Sequence, residues 1–157
     1  MKAVIQTVEE ASVKVDGIIV GQIERGMLVY FGVEKGDEES ILDPFLEKMM
    51  KLRIFKDANG KMNLNLASSG GDILIVSQFT LAGDIYKGNR PGFETAAGAD
   101  LARSLYEKAV EKLGQMGYRV QTGLFGAHMK VAYVNDGPET FILESDRLLH
   151  KRDGDSV

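Results

Sequence analysis

Four strand-like runs open this chain before any helical pattern appears. AVIQTV, SVKV, IIVGQI and MLVYFGV follow one another, and Asp16-Gly17 between the second and third suits a two-residue hairpin turn. MLVYFGV is almost continuously apolar, as expected of a central strand. A helix is predicted over roughly Asp37 to Leu52. Asp37 would cap it, Ile41, Phe45 and Met49 fall four apart, and Pro44 disturbs the pattern. RIFKDANGKMNLNL reads as a hairpin with Asn59-Gly60 at its tip, and DILIVSQFTL is the strongest strand signal of all. A second helix is predicted from about Asp100 to Met116, with Leu101, Leu105, Ala109, Leu113 and Met116 as its stripe and Gly117 at its end. YRVQT, HMKVAYV and ETFILE complete the strands. Strand and helix do not alternate in this order. It therefore predicts an α+β fold, an antiparallel or mixed sheet with two helices, over a doubly wound one.

A length of 157 residues, 44% apolar and 27% charged, fits one soluble globular domain. Residues 1–145 are expected to form it, with 146–157 a polar, mobile tail. The chain has no cysteine, which excludes a disulfide framework or a thiolate zinc site and fits a reducing compartment. No metal and no cofactor is expected. MKAVIQTVEEA reaches charged residues too soon for a signal peptide, and no apolar run approaches the roughly 20 residues of a membrane helix. The expected setting is the cytoplasm, with no membrane partner. A net charge of −4 argues against broad binding to a nucleic-acid backbone, yet allows a grip on an RNA end through a small local patch.

The chemistry is bounded first by absences. There is no phosphate-binding loop, GxGxxG after a strand, HExxH or GxSxG. Of the two histidines, His150 lies in the tail, and His128 at a strand start reads as a structural or surface residue, so nothing recommends a Ser-His-Asp triad. Two stretches remain. SQFT, Ser77 to Thr80, ends the strongest strand beside the long aperiodic AGDIYKGNRPGFETAAGAD. Alternation would put Ser77 and Phe79 on one face, and Gln78 and Thr80 on the other. That strand end is either a polar edge facing water or a place where backbone N–H groups stabilise charge on a ligand oxygen. VNDGPET, Val134 to Thr140, interrupts sheet-like sequence with glycine and proline. It reads either as a hairpin turn or, with the Gly-Pro bond cis, as bare carbonyls able to read a ligand's handedness. Lys87 and Arg90 in KGNRP belong to a solvated loop or meet a phosphate. Asn63 and Asn65 read as surface.

SQFTL at Ser77 to Leu81 and NDGP at Asn135 to Pro138 resemble the two signature motifs of the D-aminoacyl-tRNA deacylases. ASVKVDG, LRIFKDANGKMNLNL, KGNRPGF and TGLFGAHM are similar to that family in order and spacing, and the likeness runs from Met1 to about Ser145. It implies a barrel-like deacylase fold in a small cytoplasmic homodimer with its active sites at the subunit interface. The implied reaction hydrolyses the ester joining a D-amino acid to the terminal ribose of tRNA, with mischarged glycyl-tRNA as a second substrate. The implied catalytic groups are the Phe79 backbone N–H, Gln78 and Thr80. Ser77, Asn135, Gly137 and Pro138 would bind substrate, the last two entering the partner's pocket through a cis bond that excludes L-amino acids. Lys87 and Arg90 would touch RNA phosphates. A water, helped by the substrate's 2′-hydroxyl, would attack; a rival version makes Thr80 the nucleophile. The sequence departs from the family at Thr7, where arginine is usual, at Glu139, where a small apolar residue is usual, and at Asn89 and Gly92. The alternatives are a non-catalytic dimeric module binding an RNA end or a ligand, and a small-molecule esterase.

Overall fold

The structure is a computed structural model and describes residues 1–149. Its spine is β1 (Lys2–Val15). AVIQTV and SVKV, two strands in the sequence reading, are one, because the residues between them stay extended and keep pairing. β1 pairs antiparallel with β2 (Ile18–Ile23), β3 (Gly26–Gly32) and β8 (Lys130–Glu144). Asp16 and Gly17 have φ of 49° and 81°, and positive φ at both central residues makes the turn follow the strand twist.

β3 pairs in parallel with β6 (Asp72–Ser77), and β6 in parallel with β7 (Val120–Thr122), completing a mixed sheet of six strands. The β3–β6 crossover carries α1 (Leu42–Met50), the small hairpin β4 (Phe55–Lys56) and β5 (Met62–Leu64), and α2 (Leu66–Ser69). α3 (Ala99–Gln115) spans the β6–β7 crossover, and α4 (Ser145–Leu149) follows β8. Gly21 of β2 lies so close to β7 that a Cβ would overlap the Thr122 carbonyl oxygen. The sheet has curled until its ends touch, which makes it barrel-like.

Alternation along the central strands feeds two cores. Met27, Val29 and Phe31 join Ile73 and Ile75 under α1 and α3, while Leu28, Leu74 and Val76 face the opposite way onto Val8, Val13 and Ile23. Burial on both faces is why β3 and β6 read as continuous apolar runs.

The helices differ from expectation in number and placement. Among the described residues four α-helices are present where two were predicted. α2 is a single turn whose N-cap Asn65 accepts from the Ser68 N–H at 2.9 Å. α4 forms where the polar tail was expected to begin; the rest of that tail, with His150, lies outside the described residues. α1 starts at Leu42 and puts Pro44 in its first turn, where a missing N–H leaves no helical bond unmade. Asp37 does not cap it. Its carboxylate accepts from the Glu34 N–H at 2.7 Å and from the Met1 ammonium at 2.6 Å. In α3, Leu105, Tyr106, Ala109 and Leu113 are buried, while Leu101 and Met116 at its two ends are exposed. Among the described residues no helix is long and apolar enough to cross a membrane.

Candidate active site

The run DILIVSQFTL stops being a strand at Ser77. Gln78 still donates its backbone N–H to Phe31 O at 2.8 Å, but Phe79–Ala82 then coil into a 3-10 turn. The strand alternation expected for Phe79 and Thr80 is lost there. The turn nests against β3 because Gly32 has no side chain: a Cβ on it would stand 2.7 Å from the Gln78 carbonyl oxygen. The first amides of such a turn have no acceptor within it, so the Phe79 and Thr80 N–H groups begin a short array of backbone donors. The Thr80 hydroxyl donates to the Gln78 side-chain oxygen at 2.6 Å. An amide oxygen is no base, so this contact does not activate Thr80 as a nucleophile.

Ser77, Gln78 and Phe79 share one cavity of about 480 Å³ with Tyr30, Tyr106, Phe125 and His128. Tyr106 donates its hydroxyl to Ile75 O at 2.9 Å, and burial pushes its pKa up to about 12. Tyr30 is also raised to about 12, by burial first and then by its neighbour Tyr133. Both phenols are therefore neutral at ordinary pH. No carboxylate, lysine or arginine lines this cavity among the described residues. A larger cavity of about 910 Å³ has in its wall one lysine, Lys35, among the acids Glu34, Asp37, Glu38, Asp43, Glu47, Glu94 and Asp146. That wall repels anionic ligands, and it holds none of the motif residues. The smaller cavity is the candidate site.

Tyr30, Tyr106 and Phe125 were missed as lining residues. Tyr30 lies inside the apolar run MLVYFGV, and Tyr106 falls outside the stripe predicted for its helix. His128, set aside as a structural or surface residue, stands at the cavity. The run TGLFGAHM, which carries Phe125 and His128, was the available signal.

VNDGPET neither turns the chain nor ends a strand. Gln6 pairs with Thr140 and Val8 with Asn135, so Asp136, Gly137, Pro138 and Glu139 all bulge out opposite Thr7. HMKVAYV and ETFILE are one strand running in one direction, which overturns the hairpin reading. The neck of the bulge is closed by side chains. Asn135 Nδ2 donates to Thr7 O at 2.9 Å and to Glu139 O at 3.2 Å, and Thr7 Oγ1 donates to Asp136 O at 2.6 Å. The Asn135 carboxamide is thus spent inside the bulge, and Thr7, 3% exposed, is one of its clasps. The Gly137–Pro138 bond is cis. Gly137 has φ +136°, a conformation L side chains avoid, and the Glu139 carboxylate folds back over it.

The bulge and the cavity do not meet within one sheet. Thr7 is level with Met27 and Ile73, four rungs from the Phe31–Ser77 pair. β8 is three strand spacings from β6, which gives about 20 Å along the sheet. Lys87 and Arg90 lie in neither place. They sit on a small hairpin whose ends, Asp84 and Gly92, exchange backbone bonds of 2.8 and 2.9 Å. That hairpin is tied to the cavity by Phe93, whose ring meets Phe79 edge-on at 5.0 Å.

A family profile described as D-Tyr-tRNA(Tyr) deacylase matches residues 4–144. The chain is 58% identical over 147 residues to a protein of Geotalea uraniireducens (strain Rf4) named D-aminoacyl-tRNA deacylase, covering 94% of this chain and 95% of that one. A solved structure named c-Myc DNA Unwinding Element Binding Protein superimposes with a TM-score of 0.86 at 39% identity, covering 92% of this chain and 98% of the other. A second, titled as a probable eukaryotic D-amino acid tRNA deacylase, shares the fold with a TM-score of 0.75 at 20% identity over 90% of this chain and 98% of that one. With the profile spanning nearly the whole described chain, this protein belongs to the D-Tyr-tRNA(Tyr) deacylase family.

Proposed function

We propose that this protein is a hydrolase that cleaves the ester between a D-amino acid and the terminal ribose of tRNA. What carries this reading is the place of the Phe79 and Thr80 N–H groups, which open the 3-10 turn beside a cavity that Ser77, Gln78 and Phe79 line. An aminoacyl ester is already activated, so a positioned water suffices. Water attacks the ester carbonyl carbon, with the substrate's 2′-hydroxyl assisting its deprotonation. The developing oxyanion is held by the Phe79 N–H. Collapse breaks the carbon–oxygen bond to the ribose, the ribose oxygen takes the proton, and free D-amino acid and tRNA leave. Gln78 and Thr80 shape this corner, and Ser77 lines it.

Selection by handedness falls to the bulge. In a cytoplasmic homodimer with isologous symmetry, the bulge of each subunit enters the cavity of the other. The roughly 20 Å that separate the two motifs in one sheet favour this arrangement over a site within one chain. Carbonyls around Gly137 and Pro138 then stand where an L side chain would project. Glycine has no side chain to exclude, so glycyl-tRNA is cleaved too. Lys87 and Arg90 hold phosphates of the acceptor end.

The deciding experiment offers the protein D-tyrosyl-tRNA and L-tyrosyl-tRNA. Tyrosine is expected to be released from the first and retained on the second. Release of neither above the buffer rate would leave the binding module standing. Equal efficiency on a simple D-tyrosine ester would point to a small-molecule esterase.

Thr7 supplies a sharper prediction. Thr7→Val keeps the shape and removes the donor to Asp136 O, leaving a half-buried acceptor short of a bond at about 1–3 kcal/mol. The bulge should loosen, and the ratio of D- to L-tyrosyl-tRNA cleavage should fall roughly thirtyfold, the middle of that range. An unchanged ratio would remove Thr7 from chiral selection.

A further inference from the structure

The hairpin between Asp84 and Gly92 presents its most exposed apolar side chain at the tip. Tyr86 is 92% exposed and Ile85 beside it 65%. An aromatic ring so far out of the protein gains nothing from packing. The backbone beneath it is nonetheless ordered: Tyr86 N–H donates to the Asp84 carboxylate at 2.9 Å, and Asp84 and Gly92 clamp the hairpin's base. Lys87 and Arg90 follow on the same tip, and neither has an ion-pair partner among the described residues. The two nearest acids in sequence are turned to other uses, Asp84 on the Tyr86 N–H and Glu94 folded back on Gly92.

An exposed ring flanked by two free cations is the pattern of a stacking platform for nucleic acid, in which the ring takes a base face and the cations take the adjoining phosphates. The platform is continuous with the candidate site, since Phe93 at the hairpin's base packs on Phe79 of the cavity. We propose that Tyr86 stacks on a base of the tRNA acceptor end while Lys87 and Arg90 grip its backbone, making this hairpin the tRNA-docking element. The inference rests on the deacylase reading and deepens it. A small-ligand esterase would have no use for the platform.

The test separates the two claims by measuring binding apart from catalysis. The probe is an uncharged RNA hairpin that copies an acceptor stem with its unpaired 3′ end, followed by fluorescence anisotropy. Tyr86→Ala should weaken binding about tenfold, the scale of one base–aromatic stack, while Tyr86→Phe binds like wild type. Lys87→Ala and Arg90→Ala should each flatten the salt dependence of binding, and Tyr86→Ala should leave its slope unchanged. In the deacylation assay, Tyr86→Ala should raise KM for D-tyrosyl-tRNA and leave kcat alone. Cleavage of the D-tyrosine ester of adenosine, which lacks the phosphates and every base but the last of the acceptor end, should be affected far less. Wild-type affinity in Tyr86→Ala, or no RNA binding by wild type, would overturn the docking role. So would a loss of dimer in Tyr86→Ala by light scattering, because a second copy of the chain would then be what covers the ring. RNA binding lost in Tyr86→Ala, with a wild type that cleaves neither tyrosyl-tRNA, would keep the platform and sink the deacylase reading.

Discussion

Phe79→Pro is expected to abolish nearly all deacylation, while Phe79→Ala keeps most of it. The proposed catalyst at this position is the backbone N–H, and only proline removes it. The substitution fits the local structure. Phe79 is the first residue of its 3-10 turn, and Gln78 before it is extended, with φ −145° and ψ 88°. Proline is tolerated at the first position of a helical turn and favours an extended predecessor. Losing one oxyanion donor should lower kcat on D-tyrosyl-tRNA by about a hundred- to a thousandfold, with little change in KM. Alanine deletes the ring and its contact with Phe93 but leaves the donor, so its cost should be far smaller. Equal losses in the two variants, both folded by circular dichroism, would mean that the ring matters and the amide does not. The same result would reopen the case for Thr80 as nucleophile.

Gly137→Ala should be as damaging, but in the other subunit's site. Its φ of +136° is hostile to alanine, and the new methyl would meet the Glu139 carboxylate. The bulge must shift, and a displacement near 1 Å of a positioning group costs about a hundredfold. Geometry then predicts complementation. In a heterodimer of Gly137→Ala and Phe79→Pro subunits, one site combines an intact amide from the first with an intact bulge from the second. Random mixing of two nearly inactive proteins should restore roughly a quarter of wild-type activity, because half the dimers are mixed and each has one good site. Failure of the mixture to recover, with subunit exchange verified, would confine each site to a single chain and end the cross-subunit account.

Much of this fold could be read along the chain. The apolar run of β3 announced a central strand and that of β6 the strongest strand, and both lie between two cores. The Asp16-Gly17 turn was legible because a two-residue hairpin demands φ values that few residues tolerate. Helix ends were less legible. Asp37 has the chemistry of a cap, but the Met1 ammonium and the Glu34 N–H compete for the same carboxylate, and no local pattern reveals a rival so far away in sequence.

The sequence by itself determined the α+β class, the main strands, and the two short motifs to which we assign the chemistry, since these depend on local periodicity and residue type. Tertiary structure alone decided what shape the motifs take. SQFTL coils instead of running on as strand because Gly32 of a neighbouring strand leaves room for it. NDGP bulges instead of turning because both its flanks stay paired to β1. Thr7, Asn135 and the rings of Tyr30, Tyr106 and Phe125 acquired their places from residues tens of positions distant. Pairing partners and cavity walls are long-range contacts, and a linear pattern holds no record of which strand will lie alongside.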